Sequence, residues 1–247
     1  MKQGPWIYLF AAVLLLLSFI LFTIHYLLFG DLHHILLYTV HDVAFLPIEV
    51  LLVTVVIHSL LEKRSLQMKL EKLNMVIGTF FSVSGTEMLK EFVRADPALS
   101  AMQPDLKIDS RWDAAMYKRQ KKVVSGFAFQ VDMDAINLVH LRDIMVRQED
   151  FLIRILENPV MLEHESFTDL LLAVFHLVEE LRNRDDLTSL PHSDIIHLKG
   201  DIRRVYSLMT LSWLDYMNYL QGSYPYLYSL AVRLNPFGEQ PDVIVRE

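Results

Sequence analysis

From Trp6 to Phe29 the chain runs about 24 residues without a formal charge, and no other feature restricts its fold so strongly. As a helix rising ~1.5 Å per residue the run spans ~36 Å, enough for a hydrocarbon core of ~30 Å. A cleaved signal peptide has a shorter apolar region, ~7–15 residues, ending at small residues. Here His25, Tyr26 and Phe29 stand in those places. The run therefore predicts an uncleaved spanning helix.

A second apolar segment, Ile35 to Leu61, is too long for one upright span and is interrupted by His41, Asp42, Pro47 and Glu49. Proline is tolerated in the first turn of a helix, and a carboxylate two residues later suits the positive end of the helix dipole. The second span is accordingly expected to start near Pro47 and run past His58. Asp31 to Phe45 then forms a short interfacial helix with His34, Tyr38, His41 and Phe45 along one side. The alternative is one long helix from about Leu32, kinked at Pro47.

Lys63, Arg64, Lys69 and Lys72 follow the second segment, and no basic residue lies between the two segments. Basic residues stay on the cytoplasmic side, so the reading is a multi-pass protein of the cell membrane with both termini cytoplasmic. Lys2 and Trp6 give it mild support. Three regions result: a transmembrane hairpin over 1–61, a juxtamembrane helix and connector over 62–95, and a cytoplasmic helical domain over 96–247.

Residues 1–61 carry one basic and three acidic side chains, and the remainder 22 basic and 27 acidic. An acidic balance argues against nucleic acid, which needs clustered Lys and Arg. The absence of cysteine excludes disulfides, thiolate zinc sites and cysteine nucleophiles.

Beyond His58 the helix is expected to continue, since no Gly or Pro occurs until Gly78. Leu66, Leu70, Leu73 and Ile77, with Phe80 next, follow four-three steps: a heptad seam of barely two repeats, serving either a parallel dimer or packing on the protein's own domain. Pro97 to Lys107 looks like a loop. Trp112 to Val124 carries the one basic run, Lys118, Arg119, Lys121 and Lys122, either a patch for anionic headgroups or a solvated helix face. Gly126 to Gln130 is a short strand or a turn.

From Asp132 the helical period dominates. Leu138, Leu141, Met145, Leu152 and Ile155 line one helix up to Asn158-Pro159; Ser166 caps a second with Leu170, Leu171, Val174, Val178 and Leu181. A third runs from near Ser193 to Gly222 with Ile195, Leu198, Ile202, Val205 and Met209 buried, and a last short one follows Pro225. The tail from Asn235 is irregular. The fold class is all-α: a two-helix hairpin followed by a helical bundle.

Three groups of side chains could carry chemistry. Glu49 and His58 lie at membrane depth, where a carboxylate tends to face a pore, a partner or water, although Glu49 also fits the mere end of a helix. His25, His33, His34, His41 and Asp42 form an outer cluster that either binds a transition metal or sits wet at headgroup level. In the bundle, His176 and Glu179 are three apart, and Asp194, His197 and Asp201 share one face of the next helix. Di-metal bundles use such spacings but need four to six inward ligands with Glu-x-x-His twice. Here the order differs, and a solvated surface is the simpler reading.

His25 and His58 lie at opposite depths and cannot share a haem iron, so no cofactor is expected. Neither a phosphate-binding loop nor a hydrolase or metalloprotease motif occurs, which makes enzyme the minority reading. The first functional reading is a membrane-anchored interaction or signalling module. Its partners are the bilayer, a second copy through Leu66, Leu70, Leu73 and Ile77, and a cytoplasmic protein. The alternative is a homo-oligomeric pore or transport component with Glu49 near the path.

Overall fold

A computed structural model describes residues 5–109, 111–158, 161, 165–238 and 244. Lys2 and Pro159 lie outside the described residues. The chain divides into two units, Met1–Leu66 and Gln67–Glu247.

The first unit contains α1 (Pro5–Phe29) and the first part of α2 (Leu32–Phe80). Gly30 separates them at φ 64°, the left-handed conformation that glycine adopts without a Cβ penalty. Its N–H closes α1 on the Tyr26 carbonyl at 2.8 Å, and the Asp31 carboxylate opens α2 by accepting from the His34 N–H at 3.2 Å. Hydroxyls in the apolar runs return to their own backbone: Thr23 donates to the Phe19 carbonyl and Thr39 to that of Ile35, each at 2.8 Å.

Pro47 lies inside α2, so the expected separate interfacial helix over Asp31 to Phe45 is replaced by the continuous-helix alternative. Interior proline costs about 3 kcal/mol. Ending one helix and starting another would instead leave up to four carbonyls and four N–H groups without helical partners, in a run with few polar side chains to receive them.

Both apolar stretches are long and apolar enough to cross a membrane, with mean hydropathy 2.4 over Tyr8–Phe29 and 2.2 in the stretch beginning at Leu32. None of the residues in their most apolar windows is buried.

In the second unit the end of α2 turns inward, burying Leu73, Ile77 and Phe80. A π-helical turn follows at Phe81–Gly85, where the Thr86 N–H and hydroxyl both donate to the Phe81 carbonyl. The wider turn brings two successive aromatics, Phe80 and Phe81, into the core with ring centroids 5.2 Å apart. A Cβ on Gly85 would stand 2.6 Å from Phe80 Cε1 and 3.0 Å from Phe81 Cδ1, so this close approach requires glycine.

The helices that follow are α3 (Thr86–Arg94), α4 (Leu99–Leu106), α5 (Ala114–Ser125), α6 (Leu138–Arg147), α7 (Glu149–Leu156), α8 (Glu165–Arg182), α9 (His192–Ser223) and α10 (Pro225–Arg233). Asp113 and Asn137 cap α5 and α6 by accepting from the N–H groups of Met116 and His140.

Three expectations are corrected. The loop expected over Pro97 to Lys107 contains α4, held by buried Met102 and Leu106 one turn apart despite Pro104. The single helix expected from Leu138 to Ile155 breaks at Gln148, where Arg147 closes α6 and Glu149 and Asp150 open α7. Those charges suit the dipole ends of two helices rather than the middle of one. Ser166, the expected cap, lies within α8 (Glu165–Arg182).

Of the alternatives for Gly126 to Gln130, the turn is found, and the described residues contain no strand. The core is built chiefly on α8, through Leu170, Leu171, Val174 and Val178, and on α9, through Leu198, Ile202, Val205 and Met209.

Candidate functional site

In the first unit Glu49 and His58 are exposed on the surface of α2. The outer cluster separates. His25 stacks on His34 at 5.8 Å, and with Asp42 and Tyr38 they line a cavity of about 280 Å³, whereas His33 and His41 do not reach it. The seam divides too: Leu73 and Ile77 are buried, while Leu66 and Leu70 are exposed. Its second half therefore packs on the chain's own domain.

On α5 Lys118, Arg119 and Lys122 are exposed, and Lys121 donates to Asp215 at 2.5 Å. That face is exposed, because Tyr117, Gln120 and Val124 turn the opposite side of the helix inward.

Among the described residues, a group of ionisable side chains that could hold a metal ion lies between α8 and α9. His176 and Glu180 are four apart on α8, and His197 and Asp201 are four apart on α9, so each pair shares a helix face. Across the gap His176 Nε2 approaches Asp201 Oδ2 at 3.7 Å, and His197 Nε2 approaches Glu180 Oε2 at 3.5 Å. One turn further, Arg184 reaches Asp194. Each step forward on α8 is matched by a step back on α9, which is the register of antiparallel helices.

The two remaining separations close the group: His176 Nε2 to Glu180 Oε1 at 3.8 Å and His197 Nε2 to Asp201 Oδ2 at 3.3 Å. One donor atom from each of His176, Glu180 and His197 lies within 4.8 Å of the others. Asp201 is only 6% exposed, and its Oδ2 is buried without a hydrogen-bond partner. Arg204 approaches the other oxygen, Oδ1, at 3.8 Å.

Arg184 organises the outer side. Its Nη1 donates to Glu180 Oε2 at 2.6 Å and also to the Glu180 carbonyl, while Nε and Nη2 form a two-pronged contact with Asp194 at 2.8 and 2.7 Å. The Arg184 hydrogen bond holds the Glu180 carboxyl below the usual carboxylate range, with smaller contributions from His197 and His176. The same guanidinium lowers Asp194, and its own ionisation is pushed upward by hydrogen bonding to Asp194.

Beside the group is a cavity of about 720 Å³, lined in part by Phe127, Phe129, Ile196, His197, Asp201 and Arg204. Polar and apolar groups converge there, as in small-molecule pockets.

Of the five bundle residues singled out in the sequence, the structure brings together His176, His197 and Asp201. Asp194 is engaged by Arg184, and the side chain of Glu179 takes no part in these contacts. The added member is Glu180. Its signal was the four-residue step from His176, the same step that links His197 to Asp201.

Residues 69–233 match the family model for the C-terminal helical domain of the uncharacterized protein MJ1433, and residues 2–61 match the model for its N-terminal helical domain. Among curated proteins, the uncharacterized protein MJ1433 of Methanocaldococcus jannaschii is 44% identical over 247 residues, covering 100% of this chain and 99% of that protein. No solved structure matches the chain.

Proposed function

The chain belongs to the MJ1433 family and matches the models of both its helical domains, and we propose that it is a membrane-anchored helical interaction or signalling module. The observation that carries this reading is the exposure of the first unit's apolar side chains, with no residue of either apolar window buried. Immersing such side chains in lipid stabilises them by roughly 25 cal/mol per Å² removed from water.

The hairpin lies in the cell membrane with both termini cytoplasmic, as the basic residues Lys63, Arg64, Lys69 and Lys72 favour. Exposed Leu66 and Leu70 contribute to association with a second copy, and the second unit meets a cytoplasmic protein partner.

The absence of native cysteine makes the topology directly measurable. A cysteine at Asp31 should react with an impermeant thiol reagent in intact cells, and one at Glu239 only after lysis. The reverse pattern, or release of the full-length chain from membranes by alkaline washing, would overturn the proposal. Leu70→Glu should shrink the detergent-solubilised oligomer without releasing the protein from the membrane; an unchanged size would remove the second copy from the reading.

A further inference from the structure

We propose that His176, Glu180, His197 and Asp201 bind a divalent first-row transition-metal ion between α8 and α9. The donor set is two imidazoles and two carboxylates, which suits zinc, cobalt, iron or nickel better than the all-oxygen preference of calcium or magnesium.

The spacing agrees. Bonds of about 2.0–2.2 Å place neighbouring donors about 3.0–3.6 Å apart around an ion. Asp201 Oδ2 stands 3.3 and 3.7 Å from the imidazole tips of His197 and His176, and Glu180 faces the same two imidazoles with its two oxygens, Oε2 at 3.5 Å from His197 and Oε1 at 3.8 Å from His176. Small rotations of the half-exposed imidazoles, 45% and 52% exposed, take up the difference.

Asp201 supplies the independent observation. A buried carboxylate oxygen without a hydrogen bond is expensive unless a cation satisfies it. Oδ2 of Asp201 is such an atom, with the imidazole tips of His197 and His176 at 3.3 and 3.7 Å, while Arg204 addresses Oδ1 from a side chain 65% exposed. An ion on Oδ2 answers that need and draws both imidazoles in as neutral ligands.

The surroundings fit a metal site in two further respects. Arg184 anchors Glu180 through Oε2 and leaves Oε1 turned toward His176, the outer support that orients a ligating carboxylate. The neighbouring cavity that His197 and Asp201 line provides the entry path for the ion.

The test is a cobalt titration of the untagged full-length protein in detergent after chelator treatment, followed by the visible absorption of coordinated cobalt and by thermal denaturation. The wild-type chain should show one saturable band, displaced by zinc, and a higher melting temperature with the ion. Substituting any one ligand should weaken binding by about tenfold or more, the double variant His176→Gln with His197→Gln should abolish the band, and Glu179→Gln should leave it intact. Asp201→Asn, which keeps the shape of the buried side chain, provides a second loss-of-binding variant, and helical circular dichroism checks each fold. The absence of a saturable band in the wild type would overturn the site. So would wild-type binding by the double variant, which would place the cobalt elsewhere, for instance among the hairpin histidines.

Discussion

Leu15 and Leu171 have the same side chain and both lie in the middle of a helix, yet the first is 72% exposed and the second is fully buried. The contrast extends to their units. In the first unit the apolar windows of α1 and α2 leave their side chains exposed. In residues 67–247 apolar positions recur at helical spacing and are packed away, as on Leu170, Val174, Leu177 and Leu181 of α8. A helix apolar all round belongs in a non-aqueous surrounding, while an amphipathic one completes its burial against its own chain. On the proposed anchor reading, that contrast is one of two solvents, lipid for the first unit and water for the second.

The largest expected effect comes from deleting a ring where packing is tight. Phe167 meets Phe80 edge-on at 5.7 Å, so Phe167→Ala should cost about 3–5 kcal/mol in urea denaturation of the second unit. Leu15→Ala should change that stability by no more than about 0.5 kcal/mol. Equal losses would mean that the first unit is packed in the same sense as the second.

Glycine sharpens the contrast at intermediate size. Gly85→Ala forces a methyl group against Phe80 and Phe81 and should destabilise by about 1–3 kcal/mol through overpacking. Gly30→Ala meets open space and suffers only the left-handed backbone, about 1 kcal/mol, expressed as a changed hairpin rather than a weakened core. Thermal denaturation should therefore separate them, and a silent Gly85→Ala would show that the π-helical turn relaxes easily.

The smallest effect is electrostatic. Glu180 and Asp194 have ionisation lowered by Arg184 in the folded chain, so their contribution is present above the unfolded carboxylate values, ~4, and is lost as pH falls through the lowered folded values. Arg184→Met should cost about 1 kcal/mol near neutral pH, and the gap from the wild type should close in acid. A gap independent of pH would assign the loss to packing of the arginine stem.

Much of the second unit was legible because its signals are local. The expected helix from Ser193 to Gly222 corresponds to α9, His192–Ser223, and Pro225 does open α10. Where the reading failed, the signals competed. Met145 and Leu152 keep a helical spacing across Gln148, so periodicity concealed a break that the charges at Arg147, Glu149 and Asp150 marked. Pro47 looked like a helix start because the rule for proline describes one residue, whereas α2 follows the balance of backbone groups on both sides. In the ion cluster, one step of sequence separated the expected Glu179 from Glu180, and that step turns a side chain by about 100° around the helix.

By itself the sequence determined the all-helical class, the two apolar runs and which face of α8 and α9 turns inward, because each depends on residues a few positions apart along one helix. Tertiary structure decided the rest. Only the antiparallel docking of α8 on α9 sets His176 opposite Asp201 and Glu180 opposite His197, buries Asp201 Oδ2, and assigns Asp194 to Arg184. No periodicity encodes those pairings, since they join residues 10 to 25 positions apart through the register of two packed surfaces, and register is fixed by the whole core at once.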